Sequence, residues 1–141
     1  MKLVTITGID KSGKSTLMDK FNKATNYAYY VTDRDPSTTF HFDRALDRNN
    51  IPLDDYDKFM NRFRMVPGLH VCLYCPVQIL IQRFQAHNEP TLPGNLTLGD
   101  HQMSIINHFL SARFEHSLFL DTSAMIASDC VEQMVHAINS I

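Results

Sequence analysis

The chain has 141 residues, 44% hydrophobic and 20% charged, with 13 Lys and Arg against 15 Asp and Glu and a formal net charge of −2. This length suits a single domain, 1–141, with enough apolar residues for a core; wholesale disorder is excluded, as is attachment to nucleic acid by bulk positive charge. Three cysteines without a secretion signal read as reduced thiols, and no run approaches the ~20 apolar residues of a membrane span, so no membrane partner and a cytoplasmic location (host cytoplasm if the chain is viral) are expected.

Lys2 to Thr7 is a short β-branched run and predicts a buried strand. After Gly8 to Gly13, Leu17, Phe21 and Ala24 recur at helical spacing. Tyr27 to Thr32 predicts a second strand, ending at Asp33-Arg34-Asp35-Pro36. Phe42, Ala45 and Leu46 predict a helix, and Leu53, Tyr56, Phe59, Met60 and Phe63 another, with Asp54 and Asp55 suited to its first turn. Leu69 to Cys75 predicts a third strand, after which Pro76 opens a helix carrying Val77, Leu80, Ile81 and Phe84. Residues 88–99 look loop-like, with Pro90, Pro93, Gly94 and Gly99. A helix with Ile105, Ile106, Phe109 and Leu110 follows, then a strand from Ser117 to Leu120 and a last helix with Val131, Met134, Val135 and Ile138.

Strands alternating with helices imply crossovers, hence a short, mostly parallel sheet covered on both faces. In such sheets ligands sit beyond the carboxyl ends of the strands. That rule gathers Gly8 to Ser15, Asp33-Arg34, the turn after Cys75 and Asp121-Thr122 around one crevice.

Gly8-Ile9-Asp10-Lys11-Ser12-Gly13-Lys14-Ser15 matches G-x-x-x-x-G-K-[ST]. The spacing wraps backbone N–H groups around a polyphosphate, with Lys14 reaching the β- and γ-phosphates and Ser15 holding Mg²⁺. Thr16 continues into a helix whose N-terminus faces the anion. The expected cofactors are ATP and Mg²⁺, and the expected fold is the P-loop NTPase three-layer α/β/α sandwich. Asp33, at the end of an apolar strand, suits a second metal-organising position, and Arg34 suits an acceptor phosphate or the transferring phosphoryl group. Asp121 rivals Asp33 for the metal role, since it also ends an apolar run.

Gly8 to Thr16 followed by Asp33-Arg34 resembles the thymidylate kinase branch of the nucleoside-monophosphate kinases. The resemblance implies that Asp10 contacts the acceptor sugar and that Lys11 supplies a charge to the γ-phosphate from the loop itself. It further implies that Asp33-Arg34 orients metal and acceptor, with Thr38 and Phe42 as looser matches, and that Asp121-Thr122-Ser123 precedes a loop near adenine. Arg83 corresponds to the first basic position of the family's lid and is expected, with Arg34, to act catalytically on the acceptor side, while His87-Asn88-Glu89 supplies no second arginine. Only Lys23 to Ala28 stands where the family has a long acceptor-binding insert with a thymine-stacking aromatic, so most of that portion is absent.

Two patterns compete with blander explanations. Arg62-Phe63-Arg64 with Lys58, Arg44 and Arg48 suits a basic lip with interleaved aromatics, against core phenylalanines under a solvated helix face. Cys72 and Cys75 have C-x-x-C spacing but read as buried strand cysteines, and His101 and His108 read as surface residues rather than metal ligands. The expected activity is transfer of the γ-phosphoryl group of ATP to a thymidine-type pyrimidine deoxynucleotide. A 5-hydroxymethyluracil base within DNA is the alternative acceptor, and a P-loop switch without a small acceptor is a third reading; a homodimer is left open.

Overall fold

A computed structural model describes residues 2–9, 12–45, 47–86 and 97–141. Four strands form one parallel sheet: β1 (Leu3–Thr7), β2 (Tyr30–Asp33), β3 (Gly68–Tyr74) and β4 (Ser117–Asp121), in the order β2-β1-β3-β4. The connecting helices are α1 (Lys14–Ala24) after β1, and α2 (Pro36–Ala45) and α3 (Leu53–Phe63) after β2. After β3 come α4 (Val77–Ala86) and α5 (Leu98–Ser111), and after β4 comes α6 (Ala127–Asn139). The α/β class and the parallel sheet agree with the sequence pattern.

Successive strand residues point to opposite faces, and the two faces differ in chemistry. One presents Val4, Ile6, Leu69, Val71, Leu73 and Leu120 to Leu17 and Phe21 of α1 and to Met134 and Ile138 of α6. Burying each of these large side chains contributes roughly 1.5–3 kcal/mol, which makes this the principal core. The other face carries Thr5, Thr7, His70 and Cys72, all buried, beneath α2 and α5. A smaller cluster of Ile9, Phe42, Cys75, Leu80 and Ile105 joins α2, α4 and α5.

The chain leaves β1 for β2 on one side and later returns to β3 on the other. The switch point lies between β1 and β3, beside Gly8, where a crevice forms in open parallel sheets.

Three boundaries differ from expectation. β2 begins at Tyr30 rather than Tyr27 because Asn26 and Tyr27 take left-handed conformations (φ 52° and 57°) in the turn that closes α1. Tyr27 N–H donates to Asn22 there, which uses it for the helix end instead of the sheet. Leu98 and Gly99, expected in a loop, open α5, because the Thr97 hydroxyl caps it by accepting from Asp100 N–H at 3.2 Å. Pro76 stands one residue before α4, its carbonyl accepting from Ile79 and Leu80. Of the expected loop, residues 88–96 lie outside the described residues, as does Leu46.

Gly68 opens β3 where the strands approach most closely. A Cβ there would lie 2.5 Å from the Leu3 carbonyl oxygen, a backbone atom held in the β1–β3 ladder. Gly68→Ala should therefore lower unfolding stability by about 1–3 kcal/mol in urea titrations; an unchanged midpoint would show that the ladder yields without cost.

Candidate functional site

Gly13 takes φ 100°, a conformation that glycine adopts without a Cβ penalty, and turns the chain into α1. The helix's N-cap is that glycine, which has no side chain to cap it, and its first turn contains no acidic residue. The positive end of its dipole and its leading N–H groups lie at this turn. Lys14, the first helical residue, is buried at this same positive end, an unfavourable place for a cation without an anion nearby. Its ammonium lies 3.5 Å from a carboxylate oxygen of Asp33 at the end of β2, and Asp33 is half-exposed. Ser12 is fully buried, and its hydroxyl has no hydrogen-bond partner. Ser15 and Thr16 are exposed on the first turn of α1. Asp10 and Lys11 lie outside the described residues.

The turn after β2 is organised by Asp35 rather than by Asp33. The Asp35 carboxylate is buried and accepts from five donors. Thr7 and Thr38 hydroxyls reach Oδ2 at 2.6 and 3.0 Å; Ser37 N–H, Thr38 N–H and the Ser37 hydroxyl reach Oδ1, the first two at 2.7 and 3.3 Å. Asp35 N–H donates back to the Thr7 hydroxyl at 2.9 Å. Asp35 is thus the N-cap of α2, with Pro36 at the first helical position, and it also ties α2 to the last residue of β1. With its lone pairs filled, it is a positioning group and not a proton acceptor.

Arg34 lies between these two aspartates. Its N–H donates to the Ile6 carbonyl at 2.8 Å, and the neighbouring bonds hold it at φ 68°, a conformation costing roughly 1–2 kcal/mol for a residue with a Cβ. Its guanidinium carbon sits 3.9 Å from the centre of the Phe42 ring, and its Nε is buried without a hydrogen-bond partner. Lys14 and Asp33 are thus brought together next to Gly13, with Arg34 following Asp33 in the turn after β2. Gly8 itself is packed so closely that a Cβ would meet the Ser12 hydroxyl at 2.6 Å. Ile9 is buried in the smaller cluster, where it anchors the loop's start.

Arg83, expected beside Arg34 on the acceptor side, stands elsewhere, because its helix follows β3 and faces β4. It donates to the Thr122 hydroxyl and carbonyl, both at 3.2 Å, at the end of β4, the edge opposite β2. Asp121 turns its carboxylate to the N–H and hydroxyl of Ser123, and these bonds, the hydroxyl's first, hold its pKa below the usual carboxylate range. Asp33, beside Lys14, is therefore the carboxylate adjacent to the loop's lysine, and Asp121 is engaged in its own turn.

The basic lip does not assemble as a unit. Arg44 is spent on Asn49 and the Ile51 carbonyl, and Arg64 on Asn61 and the Ala112 carbonyl, leaving Lys58 and Arg62 exposed. Cys72 and Cys75 are buried free thiols, and burial pushes the Cys72 thiol up to about 12. Among the described residues no group of His, Cys, Asp and Glu forms a metal cluster.

His101, expected at the surface, is buried. His41 Nε2 lies 3.2 Å from His101 Nδ1, the Ser104 hydroxyl lies 3.0 Å from His41 Nδ1, and the His108 ring packs alongside. Sequence spacing missed this cluster because two of its members are on α5 and one is on α2. Burial first, then the neighbouring His101, His108 and Arg34 charges, lower the His41 pKa from 6.5 to about 4. Burial likewise lowers His70 to about 4, where its Nδ1 lies 2.8 Å from the Thr5 hydroxyl.

No protein-family model matches the chain, and no curated protein matches it significantly.

Two predictions follow from the buried polar groups. His41 and His70 are neutral when folded but titrate near 6.5 when unfolded, so the unfolded chain binds more protons between these values. Stability is therefore complete above about pH 6.5 and falls as pH drops toward 4, which urea midpoints measured across that range will show. Thr7→Val keeps the volume but removes both bonds to Asp35, leaving a buried carboxylate short of a donor; about 1–3 kcal/mol of stability should be lost in the same assay.

Proposed function

We propose that the chain is an ATP-dependent phosphotransferase with a P-loop NTPase sandwich fold. The observation that carries this reading is the juxtaposition of Lys14 and Asp33 at 3.5 Å at a helix start whose N-cap is a glycine with φ 100°. A buried lysine at the positive end of a helix is understandable where an anion is to be bound. The orphaned Ser12 hydroxyl and the orphaned Arg34 Nε are two further donors suited to phosphate oxygens.

In this reading residues 8–16 cradle the triphosphate of ATP. Lys14 neutralises charge developing on the transferred phosphoryl group, and Lys11 assists as the family resemblance implies. Ser15 and Asp33 would hold Mg²⁺, whose chemistry is to neutralise and orient the phosphate oxygens. Arg34 draws the acceptor's reacting oxygen toward the γ-phosphate, and catalysis comes from positioning and charge rather than from a general base. Asp10 contacts the acceptor sugar by the same resemblance. Arg83, beside Thr122, belongs to the adenine side of the crevice.

The acceptor is a thymidine-type pyrimidine deoxynucleotide, with 5-hydroxymethyluracil within DNA as the second reading. The missing acceptor insert favours keeping that second reading, because without it the acceptor side has room for an acceptor larger than a free nucleotide. Radiolabelled ATP tested with dTMP and with hydroxymethyluracil DNA separates the two. Lys14→Ala should reduce transfer to either by at least about 100-fold, the scale of losing a preorganised charge contact in the transition state. Transfer that survives in this variant would overturn the assignment, and hydrolysis of ATP with no labelled acceptor would favour a nucleotide-driven switch.

A further inference from the structure

Between the hydroxyl-bearing face of β1 and β2 and the helices α2 and α3 lies a groove of about 670 Å³. This size falls within the range of small-molecule sites. We propose that the groove is the ring-binding half of the acceptor site and takes an uncharged planar ring of the pyrimidine type. The word acceptor rests on the phosphotransfer reading above; the ring site itself does not.

The walls argue for a ring. Tyr56, Phe59 and Phe63 line the groove from α3, and Thr5 and Thr32 line it from the sheet. Phe59 and Phe63 are stacked, with centroids 5.9 Å apart, and Phe59 is 54% exposed although it borders a cavity. Tyr56 is held rigid by stacking on Phe40 at 4.2 Å. Fixed aromatic faces beside an open cavity are the surfaces on which nucleobases stack, and such stacking tolerates little loss of ring area.

The charges argue that the ring is neutral. Among the described residues Arg34 is the one cation lining the groove, and it stands at the end nearest Asp33 and Lys14. Asp35 lines the same end but is saturated by its five donors, and Asp55 adds a further negative charge along the wall. A phosphate held along the groove would meet Asp55 with no compensating cation, whereas a phosphate or hydroxyl at the head would meet Arg34. Hydrogen-bonding capacity is also sparse, since the Thr5 hydroxyl is already engaged with His70. The occupant is therefore oriented with its ring along α3 and its reacting oxygen at Arg34. Discrimination comes from shape more than from polar readout. These α3 aromatics stand in for the stacking residue of the acceptor insert that the chain lacks.

The test is an NMR titration of the full chain, without nucleotide, using thymidine (ring without charge), dTMP (ring with charge) and 2-deoxyribose 5-phosphate (charge without ring). Thymidine and dTMP should shift the ring resonances of Tyr56, Phe59 and Phe63, and the sugar phosphate should not. Phe59→Ala, at an exposed position where folding is not at risk, should weaken thymidine binding by about tenfold or more. Met65→Ser, at an exposed apolar side chain away from the groove, should leave it within about twofold. Unmoved rings with thymidine, unchanged binding in Phe59→Ala, or sugar phosphate binding as tightly as dTMP would each overturn the proposal. So would concentration-dependent broadening of those rings without ligand, which would mean that a second copy covers the groove. Thymidine binding without any label transfer would sink the phosphotransfer reading alone; label transfer to dTMP that Phe59→Ala leaves untouched would sink the groove alone.

Discussion

The reciprocal bond between Thr7 and Asp35 is the constraint on which the site depends. Thr7 ends β1 and leads directly into the loop at Gly8, while Asp35 opens α2. One carboxylate thereby fixes the spacing between the loop and the second strand's turn. Arg34 is caught between Asp35 and the Ile6 carbonyl, and its left-handed backbone is tolerated because bonds on both sides over-determine it. Release Asp35 and α2 loses its cap, β1 loses its tie and Arg34 loses the reason for its direction.

The same bond explains why the sheet has two unlike faces. The face under α1 and α6 is apolar throughout and is filled by side chains of those helices. The opposite face uses hydroxyls and an imidazole, and a buried polar group must find its partner within the protein. Thr7 finds Asp35, and Thr5 finds His70, whose ring stacks on Phe114 at 3.8 Å. The first pairing holds α2 over β1 and the second joins β1 to β3, while the part of the face toward β2 borders the groove. The groove is thus a consequence of satisfying polar strand residues on one side only.

The strands were legible because each is a short β-branched or aromatic run between turn residues. The turn at Gly13 into α1 was legible because a glycine stands directly before the helical spacing of Leu17 and Phe21. Asp33 and Asp35 flank Arg34 symmetrically in sequence, so a strand-end carboxylate could be expected without showing which of the two is buried. The signal for Asp35 was present in Pro36-Ser37-Thr38, an N-cap followed by proline and two hydroxyl residues, but a polar turn has the same composition. The start of β2 was misjudged because tyrosines favour strands, while the closure of α1 required left-handed residues at Asn26 and Tyr27. His101 and Arg83 depended on which side of a helix meets the sheet, and that is decided by tertiary packing rather than by local pattern. Gln102 is a similar case. Its amide accepts from Cys75 N–H at 3.1 Å and donates to the Cys75 carbonyl at 2.8 Å, joining α5 to the end of β3 with no sequence motif to mark it.

Charge placement supplies the last link between fold and proposed activity. Lys14 sits at the positive end of α1, and its contact with Asp33 at 3.5 Å is longer than a tight charge-assisted hydrogen bond. Asp33 is half-exposed and keeps most of its hydration, so it compensates the lysine without being locked to it. An entering phosphate has more charge and more acceptor oxygens than a single carboxylate, and it can also engage the helix N–H groups and the Ser12 hydroxyl. In the proposed activity Lys14 would exchange Asp33 for such a group, and Asp33 would then be free to face a cation on the same anion. The loose pair is therefore better suited to substitution by a phosphate than a short, buried salt bridge would be, because a buried carboxylate left behind would carry a desolvation penalty that an exposed one avoids.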